Sequence, residues 1–418
     1  MKAVAIVDGE HYAAVVRHAL AELPYEFVAA VLVGGQEKLR GGEDYGVPLV
    51  ADVESALAVH APDVVVDLSD EPVLGPPERL ALASRVLALG VPYVGADFRF
   101  DPPERAPFAM PSIAVAGTGK RVGKTAVTGH LARMLAAERN VVVVAMGRGG
   151  PPDPEVITVP PTVGGLVDLS RSGRHAASDH LETAALVGVA TVGCRRCGGG
   201  LAGAVATSNV GEGARIAAEL GPDLVVFDGS GAAVPPIAAD RTVVVVGGNQ
   251  DPHVAAGYLN TYRLLVADLV VVTMAESGSA WKVVRERVAA VVRPGVPVVA
   301  TTLQPRPLVD VRGRTVAYFC AAPVDAHARL RAHLEDAHGA SVVHVSGNLA
   351  NRAALHDELQ EISAEVYLVE LKAAAIDVVA EAAFAKEVDV VLAANDVVSL
   401  PGEPDLDELL LGMAKFQS

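Results

Sequence analysis

The stretch "PSIAVAGTGKRVGKTAVTGHLARML", residues 111–135, constrains the fold more than any other part of the chain. A short apolar strand, Ile113 to Ala116, runs into a glycine-rich turn and then into an amphipathic helix. Phosphate sits well at a helix N-terminus, where N–H groups lack intrahelical partners and the helix dipole is positive. Gly117, Gly119 and Gly123 let the backbone approach an anion, Lys124 supplies charge, and the Thr125 hydroxyl can ligate magnesium. The usual phosphate-loop spacing is glycine, four residues, then glycine-lysine-serine or threonine. Gly123-Lys124-Thr125 obey it, but Thr118 stands where the first glycine belongs, with Gly117 one place earlier. Strand, loop and helix together predict a site for ATP and Mg2+ spanning Gly117, Thr118, Gly119, Lys120, Arg121, Val122, Gly123, Lys124 and Thr125.

Around this loop, short Val/Ile-rich runs alternate with Ala-rich helical stretches, the pattern of an α/β fold with largely parallel sheets. The first unit, residues 1–105, uses "KAVAIVD", "FVAAVLVGG", "DVVVDLSD" and "VPYVGAD" as strands and reads as a Rossmann-like domain. The proline-rich loop "FRFDPPERAPFAMP" links it to a P-loop NTPase core, residues 106–323, with strands from "SIAVA" to "VAYFCAAP". A small α/β unit, residues 324–418, follows with strands "SVVHVSG", "VYLVEL" and "VDVVLAAND". The 418 residues, 51% of them hydrophobic, suffice to bury two or three such cores.

Composition narrows the setting. No apolar run reaches the roughly eighteen residues of a membrane span, and "MKAVAIVDGEHY" reads as a strand stopped by Asp8 rather than a signal peptide. Three cysteines make no disulfide framework, which fits the reducing cytoplasm. A net charge of −16 argues against nucleic acid as partner. Between residues 111 and 200, however, ten basic residues face six acidic ones. Several of these bases sit beside glycines whose backbone N–H groups can also turn toward an anion.

The candidate chemistry lies in that basic region. Asp228 ends the apolar run of "PDLVVFDGSG", at the sheet edge where ligands collect in open α/β folds, and is the expected magnesium partner of Thr125. "MGRGGPPDPE" sets Arg148 in a Gly/Pro loop with Glu155, a second candidate metal ligand, nearby. "GRHAASDHLETA" gathers Arg174, His175, Asp179, His180 and Glu182 around a helix start, which Ser178 could cap. In "GCRRCGGGLAG" the Cys194-x-x-Cys197 spacing suggests zinc, but Cys320 stands alone, so glycine-flanked Arg195 and Arg196 fit an anion loop better. Asp8-Gly9-Glu10-His11, after the first strand, is a weak anion site or a lid or dimer surface.

The loop spacing Gly-Thr-x-x-x-Val-Gly-Lys-Thr resembles the dethiobiotin synthetase branch of phosphate-loop enzymes. Over nearly the whole chain, "DGEHYAAVVRHAL", "VPYVGADFRFDPP", "MGRGGPPDPE", "HAASDHLETA", "CRRCGGGLAG", "SGNLANR" and "ELKAAAIDVVAE" resemble cyclic 2,3-diphosphoglycerate synthetases in order and spacing. The resemblance implies a cytoplasmic, homodimeric, ATP- and magnesium-dependent ligase that closes 2,3-diphosphoglycerate into an internal phosphoanhydride, releasing ADP and phosphate. It implies Lys124, Asp228 and Arg148 as catalytic residues. It gives Arg148, Arg174, Asp179, His180, Arg195 and Arg196 to the substrate, and Thr125, Asp228 and Glu155 to the metal. A kinase that stops after phosphoryl transfer, or a metallochaperone or regulatory ATPase using the two cysteines, are the competing readings.

Overall fold

The computed structural model describes residues 1–416 except positions 36, 38, 277, 373 and 374. Its first unit is a six-stranded sheet in the chain order three-two-one-four-five-six. From edge to edge it holds Leu49–Val50, Glu26–Leu32, Lys2–Val7, Val64–Asp67, Tyr93–Val94 and Arg99–Phe100. Only the last pairing is antiparallel. That order is the one expected of a Rossmann-like sheet. Its strand Lys2–Val7 is apolar and buried from Ala3 to Val7 because parallel strands are covered on both faces.

The second unit centres on Ser112–Gly117, which lies between Leu224–Asp228 and Arg241–Gly247. Outward on one side come Val141–Gly147 and Ala190–Cys197, and on the other Leu269–Thr273 and Val298–Pro307, all parallel. Glu155–Ile157 closes one edge antiparallel to Ala190–Cys197. The helix Lys124–Ala136 buries Val127, Leu131 and Leu135 on this sheet.

The second and third units share one sheet. Val298–Pro307 pairs with the core through Val298 to Ala300, then continues and pairs antiparallel with Asp389–Ser399, from Thr301↔Ser399 to Pro307↔Ala393. Val366–Glu370, Thr315–Phe319 and Ser341–Ser346 add on in that order, parallel to Asp389–Ser399. Two sequence expectations are corrected here. The strand in "VAYFCAAP", expected in the core, pairs only within the third unit. The tail expected to finish that unit instead returns to the core, where the helix Leu406–Met413 packs on Lys124–Ala136 through Leu406 and Leu410. His130 Nε2 lies 2.8 Å from Asp407 Oδ1, and Arg139 donates to the Ala414 carbonyl at 2.6 Å.

Candidate active site

The glycine-rich loop leaves the centre of the core sheet, and its local geometry explains the displaced glycine. A Cβ on Gly117 would stand 2.8 Å from the Gly231 carbonyl oxygen, so the neighbouring strand-end loop excludes a side chain there. At the next position a side chain is used. The Thr118 hydroxyl donates to Gln250 Oε1 at 2.6 Å, and its backbone N–H donates to the Val245 carbonyl at 3.0 Å. Gly123 caps the helix with φ of 77°, a conformation that favours glycine. The Val122 carbonyl accepts from Thr273 Oγ1 at 2.7 Å, while Lys120 and Arg121 remain exposed.

Lys124 and Asp228 meet. Lys124 Nζ lies 2.6 Å from Asp228 Oδ1, which also accepts from Thr128 Oγ1 at 2.5 Å. Asp228 is fully buried, yet its Oδ2 has no hydrogen-bond partner among the described residues. A buried carboxylate oxygen left open beside a phosphate loop fits a hydrated cation, and the Thr125 hydroxyl, one turn ahead of Thr128 and without a partner among the described residues, fits the same role.

Asp179 opens the helix Asp179–Val187 and points at the end of Val141–Gly147: a Cβ on Gly147 would be 3.1 Å from its Oδ2. Burial, assisted by the Asp228 charge, raises its pKa above the usual carboxylate value against the pull of Lys124, Arg148 and Lys372. Arg148, exposed at the same strand end, and Arg196 repel each other. Burial first and then Arg148 lower the Arg196 pKa from its ordinary value, a strained arrangement that an anion would relieve. Arg196 donates to the Gly198 carbonyl at 2.9 Å and the Ser230 carbonyl at 3.0 Å, and its buried Nε is unpartnered among the described residues. Thus Arg196 both faces the site and ties the arginine loop to the segment after Asp228. The Arg195 side chain is exposed and makes no hydrogen bond among the described residues; Asn209 Oδ1 holds its backbone N–H at 2.7 Å.

Other expected residues answer one another. Both Glu155 oxygens accept from Arg174 Nη2, at 2.9 and 2.8 Å, and His180 Nε2 lies 3.6 Å away. That pairing occupies Glu155 without magnesium and Arg174 without substrate. His180 is buried under Gly193, where a Cβ would come within 2.5 Å of its ring, and burial lowers its pKa despite Glu155. Ser178 does not cap its helix through its side chain; its hydroxyl instead lies 3.2 Å from His180 Nδ1.

Cys194 and Cys197, three apart on one strand, emerge on opposite faces. Cys194 is fully buried against Val210 and Ala214, with its thiol pushed up to about 12 by burial, whereas Cys197 is exposed. This removes the basis for the metallochaperone reading. Asp8 is equally structural: its carboxylate accepts from the N–H groups of Glu10, His11 and Asp70 and sits 2.8 Å from His11 Nδ1. Burial would raise its pKa, but these donors hold it below the ordinary value.

Sequence reasoning missed Thr128, Gln250 and Asn260, whose Nδ2 donates to the Thr118 carbonyl at 3.0 Å. It also gave no role to Lys372 within "ELKAAAIDVVAE". Burial lowers and Glu182 and Glu370 raise the pKa of this lysine, with a net rise.

A mainly parallel sheet whose central strand opens into a glycine-rich loop, with the loop lysine on a strand-end aspartate, defines a phosphate-loop nucleotide-binding protein. Residues 2–101, 112–302 and 307–396 match the N-terminal, P-loop and C-terminal domains of cyclic 2,3-diphosphoglycerate synthetase. Proteins named cyclic 2,3-diphosphoglycerate synthetase are similar along their length. The one from Rubrobacter xylanophilus is 50% identical over 99% of this chain and 97% of its own. That of Thermococcus gammatolerans is 44% identical over the same shares, and that of Methanothermus fervidus 38% identical over 94% and 92%. The chain belongs to the cyclic 2,3-diphosphoglycerate synthetase family.

Proposed function

We propose that this protein joins the two phosphates of 2,3-diphosphoglycerate into a cyclic phosphoanhydride, with ATP converted to ADP and phosphate. The observation that carries the reading is the meeting of the Lys124–Asp228 pair with the Arg148–Arg196 pair at one sheet edge. A nucleoside triphosphate needs the first, and an acceptor with two phosphates and a carboxylate needs the second. Lys124 and the amides of residues 119–125 would hold the β- and γ-phosphates. Thr125 and Asp228 would hold magnesium, which when bound supplies countercharge to those phosphates.

The acceptor needs no strong base, because a phosphate oxygen is already an anionic nucleophile. That oxygen bonds to the γ-phosphorus and the bond to ADP breaks. An oxygen of the second substrate phosphate then attacks the first, and the transferred phosphoryl group departs as inorganic phosphate. Lys124, Arg148, Arg195 and Arg196 neutralise charge and align the two groups, so catalysis rests on positioning and electrostatics. Asp179 lies where it can orient Arg148 and Arg196. Arg174 could join only by leaving Glu155.

Free cysteines support a reducing, cytoplasmic setting, and among the described residues no helix is long and apolar enough to cross a membrane. The expected homodimer is tested by light scattering. ADP release tests the reaction: it should depend on 2,3-diphosphoglycerate and yield one phosphate per ADP. ADP release with a phosphorylated acceptor accumulating and no free phosphate would instead indicate a kinase.

A further inference from the structure

The third unit has no part in the reaction as described so far, yet its sheet register aims it at the site. The core strands end at the edge carrying the glycine-rich loop. From there Val298–Pro307 continues outward for seven residues, Thr301 to Pro307, roughly 20 Å at strand rise. Asp389–Ser399 runs back along it, and Val366–Glu370 is parallel to that returning strand. The C-terminal ends of the third unit's strands therefore face the C-terminal ends of the core strands. In open α/β sheets each such edge is where ligands bind; here two of them confront one another.

A narrow cleft lies between them, lined by Thr125, Glu182, Arg306, Glu370, Lys372 and Asn395 among others. Most of its charges are already answered. Arg133 and Arg306 both bind Asp396 Oδ1, at 2.9 and 3.0 Å. Glu370 accepts from Asn395 Nδ2 at 2.9 Å, Tyr318 at 3.3 Å and the Ala321 N–H at 3.1 Å. The Lys372 ammonium makes no hydrogen bond among the described residues. It lies in the attractive fields of Glu182, Glu370 and Asp179 and in the repulsive field of Arg121, from the glycine-rich loop. A π-helical turn, Ala375–Ala380, an uncommon element frequent at functional sites, begins three residues later.

We infer that Lys372 is a substrate ligand: the third unit delivers its ammonium across the cleft to a phosphate of the acceptor, opposite the cations of the core. The inference rests on the functional reading above. The surrounding carboxylates keep the lysine charged, and its three N–H donors, unpartnered among the described residues, suit a phosphate. The acceptor is thereby held between two units, so closing the ring requires both.

Calorimetric titration of full-length protein separates this role from mere neutralisation of buried Glu182. Lys372→Met should weaken 2,3-diphosphoglycerate tenfold or more while a non-hydrolysable ATP analogue changes less than twofold, and Lys372→Arg should recover part of the loss. In the double variant Lys372→Met/Glu182→Gln, which removes the carboxylate that needs a partner, the substrate should remain weak. Unchanged substrate affinity in Lys372→Met, equal loss for both ligands, or recovery in the double variant would overturn the inference. If Lys372→Met does not fold, the double variant decides alone. Failure of the wild-type protein to bind 2,3-diphosphoglycerate would refute the functional reading instead. Pyrophosphate titrated into the same proteins would then judge Lys372, tenfold weakening supporting it and equal binding refuting it.

Discussion

Glu182 offers the most quantitative test of the electrostatics around the site. It lies in the first turn of Asp179–Val187, 6% exposed, and burial pushes its carboxyl from the ordinary 4.5 up to about 7 even with the attraction of Lys372. A folded-state pKa above the unfolded one means that the fold prefers the protonated acid. The cost of ionising it is absent below about pH 4.5, grows between there and about 7, and is fully present above. At about 1.4 kcal/mol per unit, the shift amounts to about 3 kcal/mol at pH 8 and less than about 1 kcal/mol at pH 5. Glutamine resembles the protonated acid, so Glu182→Gln should stabilise the apoprotein by about 3 kcal/mol at pH 8 and hardly at pH 5. Three packed units need not unfold in one step, so the suitable assay is hydrogen exchange of the Asp179–Val187 amides, comparing variant with wild type at each pH. A variant less stable at pH 8, or a difference that ignores pH, would show that Lys372 holds Glu182 ionised and that the reasoning is wrong.

Asp228→Asn keeps the shape but removes the negative charge that faces Lys124 and that would face magnesium; turnover should fall and the magnesium requirement rise, read by ADP release against magnesium concentration. Lys124→Ala should abolish that turnover with circular dichroism unchanged. Arg195→Ala should weaken the substrate alone by roughly ten- to a hundredfold, from about 1.5–3 kcal/mol per charge-assisted bond. Arg196→Ala should weaken both substrate and nucleotide in calorimetry, because its side chain also ties Gly198 to Ser230 beside Asp228. Gly213→Ala puts a Cβ 2.2 Å from Cys194 Sγ and should destabilise by about 1–3 kcal/mol, read by hydrogen exchange of the Val210–Glu219 amides, with Cys194→Ala restoring most of the loss.

The phosphate loop and the parallel sheets were legible because each rests on local signals: apolar runs of strand length, glycines where the backbone must turn, and a lysine and threonine at a helix start. Asp228 was legible because a charge that ends a buried apolar run has few other reasons to be there. Pairing was not. Nothing in "MGRGGPPDPE" or "GRHAASDHLETA" shows that Glu155 and Arg174 meet, since the contact depends on an antiparallel edge strand of three residues. The Cys-x-x-Cys spacing suggests a metal on a loop, but it lies on a strand, where an odd separation parts the two thiols. The strand in "VAYFCAAP" reads like any core strand, and only the register of Val298–Pro307 against Asp389–Ser399 assigns it to the third unit. Lys372 was hidden for the same reason: its importance comes from two facing sheet edges, a property of topology rather than of composition.

The central claim is ring closure, and phosphorus NMR of the protein with ATP, magnesium and 2,3-diphosphoglycerate tests it most directly. The account predicts that the two phosphomonoester signals are replaced by coupled signals of an internal diphosphate, with ADP and inorganic phosphate appearing in equal amounts. Persistence of both monoester signals while ATP is consumed, or conversion to an open-chain phosphorylated product without free phosphate, would contradict it.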